Sequence, residues 1–500
     1  MGQASEFIKE YNALLDQLSV QNPTRLFWST DFASKNRFSC PLPDMLEQLV
    51  AQGQMTRLQP DVRFKRFLGI FYHAFKIGGR MLKARSCLKA LTRGKEYIVV
   101  KTFIYNHSFD DQGHYKDVFW GKFLEEIKDQ ENILILGTIL GDYNHCLSKI
   151  TACKSFTIVP MEAFLSMWDL WQACWEQLTV PIRIPNRLYF KGQEIASIVR
   201  DCFDRTFKGV QLVQFVQYWV AERLARTIAI KKFYMTCENY PWERMMIMAL
   251  RKVDPKIPII GYQHTVVPEA FLNYFASQAE VQAQLWPDRI LTTGQRTKDI
   301  IQKYSSKGIH VQTSCALRFE YLHTISLSPR RKIRHILLAL EGSWIAEPMV
   351  KSVFQQMAGS ESFTLRIRTH PILPWEALGA RLSLKSLDFQ NIEISRGSLT
   401  EDLQWADAVV YHSTAVSMEA LMMGKPVVHV DMKSVLSFDP LLECQALKKN
   451  IRLDESLLET FKEIDALSDE QFLSQQKNAR AYLESYFYPV KMRSLEVFLN

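Results

Sequence analysis

Short apolar runs rich in β-branched residues alternate with helical stretches along most of this chain, and they occur in two successive series. Runs of this length predict strands buried on both faces, which is typical of a parallel sheet covered by helices. The first series has predicted strands at residues 97–104, 132–137, 228–235, 257–262 and 288–294, and the second at 335–340, 363–368, 392–395, 408–411 and 426–430. Two such series predict two Rossmann-like α/β domains.

A polar stretch at residues 326–332 separates the two series, and we place a domain boundary there. The length of 500 residues agrees with this division, because a domain averages ~150 residues. The predicted organisation is an N-terminal helical, basic segment at 1–95, a Rossmann-like domain at 96–325 and a second one at 326–500 that ends in closing helices. Within the first Rossmann-like domain, a helix is predicted at 115–129.

Composition restricts the partners and the location of the protein. The nine cysteines are dispersed, with no C-x-x-C pair and no zinc-like spacing, and no Asp-x-Asp segment offers a divalent-ion site, so we expect neither metal nor cofactor. Dispersed thiols and the lack of a signal peptide favour the cytoplasm. No apolar run reaches the ~18 residues of a spanning helix. The net charge of +8 permits contact with phosphates or an anionic membrane surface, and we expect no nucleic-acid partner.

Residues 61–95 form an unusual basic segment, with ten basic residues against one acidic residue and with aromatic residues between them. Two interpretations are open. The segment is either a solvated helix packed on the core, or a patch that holds the protein on an anionic inner-membrane surface.

Residues 409–428 combine a strand, a helix and a second strand with few connecting residues. The first strand ends at His412, and Ser413 and Thr414 are favourable helix N-cap residues. A helix N-terminus with two hydroxyl groups can bind phosphate, and Glu419 within the helix can accept hydrogen bonds from ribose hydroxyls. An ordinary capped strand–helix–strand unit would explain the same pattern without a ligand.

Two further strand ends in the second series carry candidate donor-binding residues. One strand delivers His370 to its end, where Pro371 fixes the turn and Arg368 adds positive charge. Another strand ends at Glu341 and Gly342, where a glycine permits close approach of a ligand to the backbone. A structural histidine and a plain turn are the alternatives for these two motifs.

In the first series, Glu238 and His264 each follow a predicted strand. The carboxyl ends of parallel strands share one edge of a sheet, so both side chains are candidate general bases for an acceptor hydroxyl. A purely structural role is open for each. Glu243, one turn into the next helix, is better explained by stabilisation of the helix dipole.

The segments 238–243 and 261–265, together with residues 101–137, resemble bacterial surface-carbohydrate biosynthesis proteins of the GT-B fold. The His-Pro and Ser-Thr elements are similar to motifs of bacterial sialyltransferases, polysialyltransferases, capsular Kdo transferases and CDP-glycerol glycerophosphotransferases. The resemblance spans roughly residues 97–430. It implies a two-domain enzyme whose Rossmann-like domains face a central cleft.

The same resemblance implies roles for particular residues. In those families the two motifs hold the phosphates of a cytidine nucleotide, which carries over to His370, Pro371, Ser413, Thr414 and Glu419. The sialyltransferase pattern also has two acidic residues before a glycine. Here only Glu341-Gly342 and Glu238-Asn239 come near it, which leaves the base unassigned and weakens the case for sialic acid.

The sequence therefore predicts an inverting, metal-independent glycosyltransferase with a nucleotide-sugar donor, CMP-linked by resemblance, and a glycan or lipid-linked acceptor of lipopolysaccharide or capsule. Two alternatives are open. One is a glycerol- or ribitol-phosphate transferase with a CDP-activated donor, and the other is a non-catalytic glycan-assembly protein of the same fold.

Overall fold

The computed structural model describes residues 2–53, 63–92, 94–206, 211–358, 360–382 and 390–499. The chain divides into two compact units. Unit 1 contains Met1–His264, Phe271–Arg318 and Val490–Asn500, and unit 2 contains Thr265–Ala270 and Phe319–Pro489. Each unit is built around a parallel sheet flanked by helices, so the prediction of an α/β fold with two Rossmann-like domains is confirmed.

Unit 1 contains a seven-stranded parallel sheet. Its strands, in chain order with a small separate hairpin, are β1 (Glu96–Ile104), β2 (Ile133–Ile139), β3 (Thr157–Pro160), β4 (Tyr189–Phe190), β5 (Gln193–Glu194), β6 (Ala229–Thr236), β7 (Ile259–Tyr262), β8 (Arg289–Thr292) and β9 (Val311–Thr313). The sheet order is β3-β2-β1-β6-β7-β8-β9, and β4 pairs with β5. The order reverses between β1 and β6, which is where sheets of this kind bind ligands.

The predicted buried runs form the centre of this sheet. Every residue of β2 is buried, as expected for a strand covered by helices on both faces. Strand β1 pairs with β2 on one side, with Ile98 opposite Ile133, and with β6 on the other. The side chains that follow β1, β6 and β7 therefore gather at one edge of the sheet.

Among the described residues, unit 1 has thirteen α-helices before the chain enters the sheet of unit 2. They are α1 (Gln3–Gln21), α2 (Arg25–Trp28), α3 (Leu42–Gln52), α4 (Arg63–Ala84), α5 (Gly121–Ile127), α6 (Tyr143–Ala152), α7 (Met167–Thr179), α8 (Ala196–Thr206), α9 (Gln211–Phe215), α10 (Gln217–Thr227), α11 (Pro241–Val253), α12 (Gln278–Gln282) and α13 (Gln295–Tyr304). Buried charges join the N-terminal part to the rest of the unit. The ammonium of Lys35 lies 2.7 Å from the carboxylate of Glu280, which also pairs with Arg244.

Unit 2 contains a six-stranded parallel sheet. Its strands are β10 (His335–Ala339), β11 (Thr364–Arg368), β12 (Ile392–Ile394), β13 (Ala408–Tyr411), β14 (Val427–Asp431) and β15 (Lys448–Arg452), and its helices are α14 (Glu347–Met357), α15 (Trp375–Leu382), α16 (Leu399–Trp405), α17 (Val416–Met422), α18 (Leu457–Asp465) and α19 (Asp469–Tyr486). The order β12-β11-β10-β13-β14-β15 is the 3-2-1-4-5-6 arrangement of nucleotide-binding folds. The order reverses between β10 and β13.

The last helix, α20 (Met492–Leu499), belongs to unit 1. The hydroxyl of Tyr234 on β6 donates a hydrogen bond of 2.5 Å to the carbonyl of Phe498. The ring of Phe498 packs against those of Trp120, Phe123 and Tyr262. Aromatic burial and a buried hydrogen bond thus fix the end of the chain to the first sheet.

The helix predicted at 115–129 is shorter than expected, because Tyr115 pairs with Phe109 in an isolated bridge and residues 118–120 form a turn ahead of the helix. The carboxylate of Asp117 accepts hydrogen bonds from the amides of Phe119 and Trp120, at 2.7 and 2.9 Å, and from the hydroxyl of Tyr115. This side chain competes with the helix for backbone amides, so the helix begins at Gly121.

The basic segment predicted at 61–95 forms a helix over most of its length. Residues 61, 62 and 93 lie outside the described residues, as do the side chains of residues 63–67. Among the described residues, no helix combines the length and apolarity needed to cross a bilayer.

Candidate functional site

The order reversal in the sheet of unit 2 brings three of the predicted donor-site motifs together. Glu341 and Gly342 follow β10, His370 follows the neighbouring strand β11, and Ser413 follows β13 on the other side. A Cβ atom at Gly342 would lie 2.8 Å from Nδ1 of His370, so the Glu341-Gly342 turn and the His-Pro turn are in contact. The amide of Ser413 approaches the carboxyl group of Glu341.

Glu341 has the most perturbed environment of this group. Both carboxyl oxygens are buried, and neither has a hydrogen bond of ordinary geometry within the described part of the chain. Burial raises the pKa of Glu341 to about 8, although the amides of Glu341 and Ser413 partly offset this effect. At neutral pH most of the carboxyl group is therefore protonated, and its O–H can donate a hydrogen bond.

His370 is exposed to solvent and is held by the turn that Pro371 begins. Its Nδ1 lies 3.2 Å from the amide nitrogen of Ile372, which donates to it. Partial desolvation lowers the pKa of His370 below its ordinary value. The imidazole is thus neutral near pH 7, with its proton on Nε2, from which it can donate to a ligand oxygen.

Arg368 is engaged by protein groups. Its guanidinium lies 2.6 Å from the carboxylate of Asp402, and it donates to the carbonyl of Gly397 at 3.0 Å and to the hydroxyl of Ser395. Asp402 therefore balances much of the positive charge that we expected beside His370.

His412 is buried at the end of β13. Its Nδ1 lies 3.0 Å from the carbonyl of Val430, so this nitrogen carries the proton. Burial lowers the pKa of His412 to about 4, and the buried Nε2 has no hydrogen-bond partner among the described residues. A neutral imidazole with this tautomer is an acceptor, and it cannot donate to a phosphate.

The helix after β13 begins later than predicted. It starts at Val416 with Ala415 as its N-cap, so neither Ser413 nor Thr414 is the N-cap residue. The Thr414 hydroxyl accepts a 3.3 Å hydrogen bond from the amide of Val416. Ser413 and Thr414 lie in a partly buried turn before the helix, and Glu419 lies in the first helical turn.

Unit 1 has its own cluster at the corresponding sheet edge. Glu238 follows β6, and burial raises the pKa of Glu238 to about 7. The positive charge of Arg318 and the hydroxyl of Tyr274 partly offset this rise. Tyr105, which follows β1, interacts electrostatically with both Glu238 and Arg318. Sequence reasoning missed Arg318, Tyr274 and Tyr105, because no motif links them to Glu238.

His264 belongs to the same cluster as Glu238. It is almost fully buried, and its ring meets that of Phe119 edge-on at 4.5 Å between centroids. Burial, and then the charge of Arg318, lower the pKa of His264 to about 3. His264 is thus a much weaker base than Glu238.

Glu243 lies in the first turn of the helix that follows Glu238 and caps the start of that helix. Its carboxylate accepts hydrogen bonds from the amides of Glu238 and Tyr240, at 3.0 and 3.2 Å. These bonds fix the turn that carries Glu238. Within the described residues, no group of three or more His, Cys, Asp and Glu side chains is placed to hold a metal ion.

Comparisons with known proteins give similarities of fold at low sequence identity. No family model matches the chain, and no curated protein matches it. The glycosyltransferase SnogD from Streptomyces nogalater is similar with a TM-score of 0.44 and 13% identity, over 81% of this chain and 100% of that chain. Trehalose 6-phosphate synthase from Burkholderia multivorans is similar with a TM-score of 0.48 and 11% identity, over 81% and 97%. The UDP-GlcNAc 2-epimerase from Neisseria meningitidis, solved with UDP-GlcNAc, gives 0.46 and 9%, over 81% and 98%.

Proposed function

We propose that this protein is a glycosyltransferase that binds a nucleotide-sugar donor at the sheet reversal of unit 2. The observation that carries the proposal is the convergence of Glu341, His370 and the Ser413 turn at that point. Nucleotide phosphates bind at this place in sheets with the 3-2-1-4-5-6 order.

The chemistry of these groups suits a phosphate that gains charge during the reaction. The protonated carboxyl of Glu341 and Nε2–H of His370 are hydrogen-bond donors, and the hydroxyls of Ser413 and Thr414 add two more. Donors fixed where negative charge develops stabilise a leaving phosphate. In this proposal the protein's own donors balance that charge, so we expect turnover to persist in EDTA.

The remaining donor-site residues have supporting roles in the proposal. Glu419, in the first turn of the helix that follows the Ser413 turn, accepts hydrogen bonds from ribose hydroxyls. His412 is buried and donates a hydrogen bond to the carbonyl of Val430, and the guanidinium of Arg368 pairs with the carboxylate of Asp402. We assign both as positioning residues, which hold the Ser413 turn and the strand that leads to Pro371.

We assign the general base to Glu238. A base works best when its pKa is near the operating pH, which favours Glu238 at about 7 over His264 at about 3. The carboxylate of Glu238 takes the proton from the acceptor hydroxyl. The acceptor oxygen bonds to the anomeric carbon as the bond from that carbon to the phosphate oxygen breaks, and the nucleotide leaves. A single displacement of this kind inverts the anomeric carbon.

The identity of the substrates rests on the resemblance of the His-Pro and Ser-Thr motifs. It favours a CMP-linked sugar as the donor and a bacterial surface glycan, of lipopolysaccharide or capsule, as the acceptor.

Nucleotide binding to the full chain tests the proposal. CMP, CDP, UDP and GDP are each titrated against the wild type, the His370→Ala variant and the control variant His310→Ala, which changes an exposed histidine of unit 1. A nucleotide at ~100 times its Kd should stabilise the wild type by ~2.7 kcal/mol. Loss of His370 should weaken binding by ~1.5–3 kcal/mol, since the bond is made to a charged phosphate.

We expect a cytidine nucleotide to give the largest shift, and His310→Ala to bind like the wild type. Failure of all four nucleotides to bind, or equal affinity in His370→Ala, would contradict the donor site. Nucleotide binding without turnover of any activated sugar would instead indicate a non-catalytic glycan-assembly protein.

A further inference from the structure

Helices α4 and α7 lie side by side on unit 1, and each is anchored by one face. On α4, Ile70, Ile77 and Met81 are buried. The guanidinium of Arg80, on α4 as well, lies over the ring of Tyr143 at 4.6 Å. On α7, Leu170, Ala173 and Gln177 are buried. A Cβ atom on Gly78 would lie 3.8 Å from Leu170, so the two helices touch at this point.

The outward face of α4 carries large apolar side chains. Phe75 is 86% exposed, and Leu68, Tyr72 and Leu82 are also exposed. Their spacing of three, four and seven residues places them on one side of the helix. Phe75 and Leu82 are three and four residues from Gly78, which puts them next to the contact with α7.

The outward face of α7 carries three tryptophans at helical spacing. Trp168, Trp171 and Trp175 are 58%, 50% and 56% exposed. Their rings stack in sequence, with centroids 4.7 and 5.7 Å apart. Met167 and Leu178 extend the exposed apolar face. Aromatic side chains of this size rarely remain in water in such numbers unless they have a partner.

Positive charge borders this apolar surface. Lys76, Lys83, Arg85 and Lys89 are exposed, and residues 68–90 contain no acidic residue. On α7 the two acidic side chains are each paired, Asp169 with Arg223 and Glu176 with Arg25. The surface is thus apolar and aromatic in its middle, with a basic border on the side of α4.

We propose that the outward faces of α4 and α7 together form a docking surface for a lipid bilayer that contains anionic lipids. Tryptophan and tyrosine favour the boundary between headgroups and acyl chains, and phenylalanine and leucine favour the region below it. The lysines and arginines meet the negative headgroups. The proposal does not depend on the chemistry of unit 2.

A second copy of the chain is a poorer occupant of the surface. A two-fold dimer places the same patch of both copies in contact. The two acidic side chains of α7 are already paired within the chain, so they leave the basic border of α4 without an acidic partner in such an interface. Like charges at such an interface are unfavourable, whereas an anionic bilayer neutralises them.

Flotation of the full chain with vesicles tests the proposal. The vesicles are phosphatidylcholine alone, or phosphatidylcholine mixed with phosphatidylglycerol, each at low and high salt. We expect the wild type to float with the mixed vesicles at low salt and to dissociate as salt rises, because surface charges are screened. Tryptophan fluorescence should be quenched by bromine-labelled lipid in the same vesicles.

Matched variants separate the two parts of the surface. Replacing Trp171 and Trp175 by Ala should reduce flotation at least tenfold and remove most of the fluorescence quenching. The control variant Tyr189→Ala changes an exposed aromatic residue elsewhere in unit 1 and should have no effect. Replacing Lys76 and Lys83 by Gln should reduce binding to mixed vesicles severalfold. The same change at Lys462 and Lys477, two exposed lysines of unit 2, should leave it unchanged.

Three results would overturn the proposal. The wild type could stay with the aqueous phase in the presence of mixed vesicles at low salt, or the Trp171 and Trp175 variant could bind as well as the wild type. Alternatively, that variant could convert a dimer into a monomer in sedimentation while vesicles fail to bind, which would assign the surface to a second copy.

Discussion

Gly342 and His370 are in such close contact that a single methyl group at Gly342 would lie 2.8 Å from Nδ1 of His370. Heavy atoms at this distance overlap, so a larger residue at 342 requires the imidazole to move. The neighbour that must move is a side chain, which can rotate at small cost to the fold. The position therefore offers a way to displace His370 without removing it.

We expect Gly342→Ala to weaken nucleotide binding about tenfold, because the displaced His370 loses its hydrogen bond to the phosphate, while Tm changes little. Calorimetric titration and a thermal melt measure the two effects. Gly121→Ala is a suitable control, because a Cβ there meets no atom within 4 Å. Wild-type affinity in Gly342→Ala would show that His370 does not contact the nucleotide.

Glu238→Gln should reduce turnover by ~10²–10⁴-fold, because the amide cannot accept the acceptor proton. Nucleotide affinity should be unchanged, since the donor groups are in unit 2. Single-turnover kinetics and nucleotide titration separate these quantities. Glu194→Gln, at an exposed glutamate of unit 1, should behave like the wild type. If Glu238→Gln is fully active and a folded His264→Gln variant is not, the base is His264.

The pH profile of kcat/KM should be bell-shaped. Below about 7 Glu238 is protonated and cannot act as a base. Above about 8 Glu341 loses its proton, so it no longer donates a hydrogen bond and it repels the phosphate. Activity should therefore fall on both sides of a narrow optimum. Glu341→Gln keeps a donor that does not titrate, so this variant should lose the alkaline limb and retain the acidic limb.

Much of the fold could be predicted because the central strands are apolar on both faces. Residues 97–104 and 132–137 contain almost only residues that a buried strand requires, and they form β1 and β2. The edge strands β3, β9 and β15 were missed. Strand β9 has only three residues, and β15 is Lys-Lys-Asn-Ile-Arg, whose side chains carry no apolar run. Three of the five side chains of β15 are exposed, so this edge strand does not require an apolar run.

The candidate site could be predicted in outline because its residues follow strands. Glu341, His370 and Ser413 follow β10, β11 and β13, and the sheet order puts these strand ends side by side. The raised pKa values of Glu238 and Glu341 could not be predicted. Arg318 lies 80 residues after Glu238, and only the fold brings its charge close enough to affect the pKa of Glu238. The return of α20 to unit 1 likewise depends on aromatic contacts of Phe498 that no local pattern encodes.

The stability of the protein should depend on pH through Glu341. Its ordinary pKa is 4.5, and burial raises it to about 8 in the folded protein. Between these values the folded state holds a proton that the unfolded chain releases. Protonation therefore stabilises the fold fully below about 4.5, and this contribution is lost as the pH rises through about 8.

Glu341→Gln removes this titration, because glutamine stays neutral at every pH. We expect the variant to melt like the wild type near about pH 5 and at a higher temperature near about pH 8, by about 2–4 °C for each kcal/mol regained. Melting curves across this range measure the difference. Glu361→Gln, at an exposed glutamate of unit 2, should follow the wild type throughout. A Tm difference between Glu341→Gln and the wild type that does not grow with pH would mean that Glu341 is ionised in the folded protein. Glu341 could then not donate a hydrogen bond to the nucleotide phosphate, which would contradict the role that we assign to it.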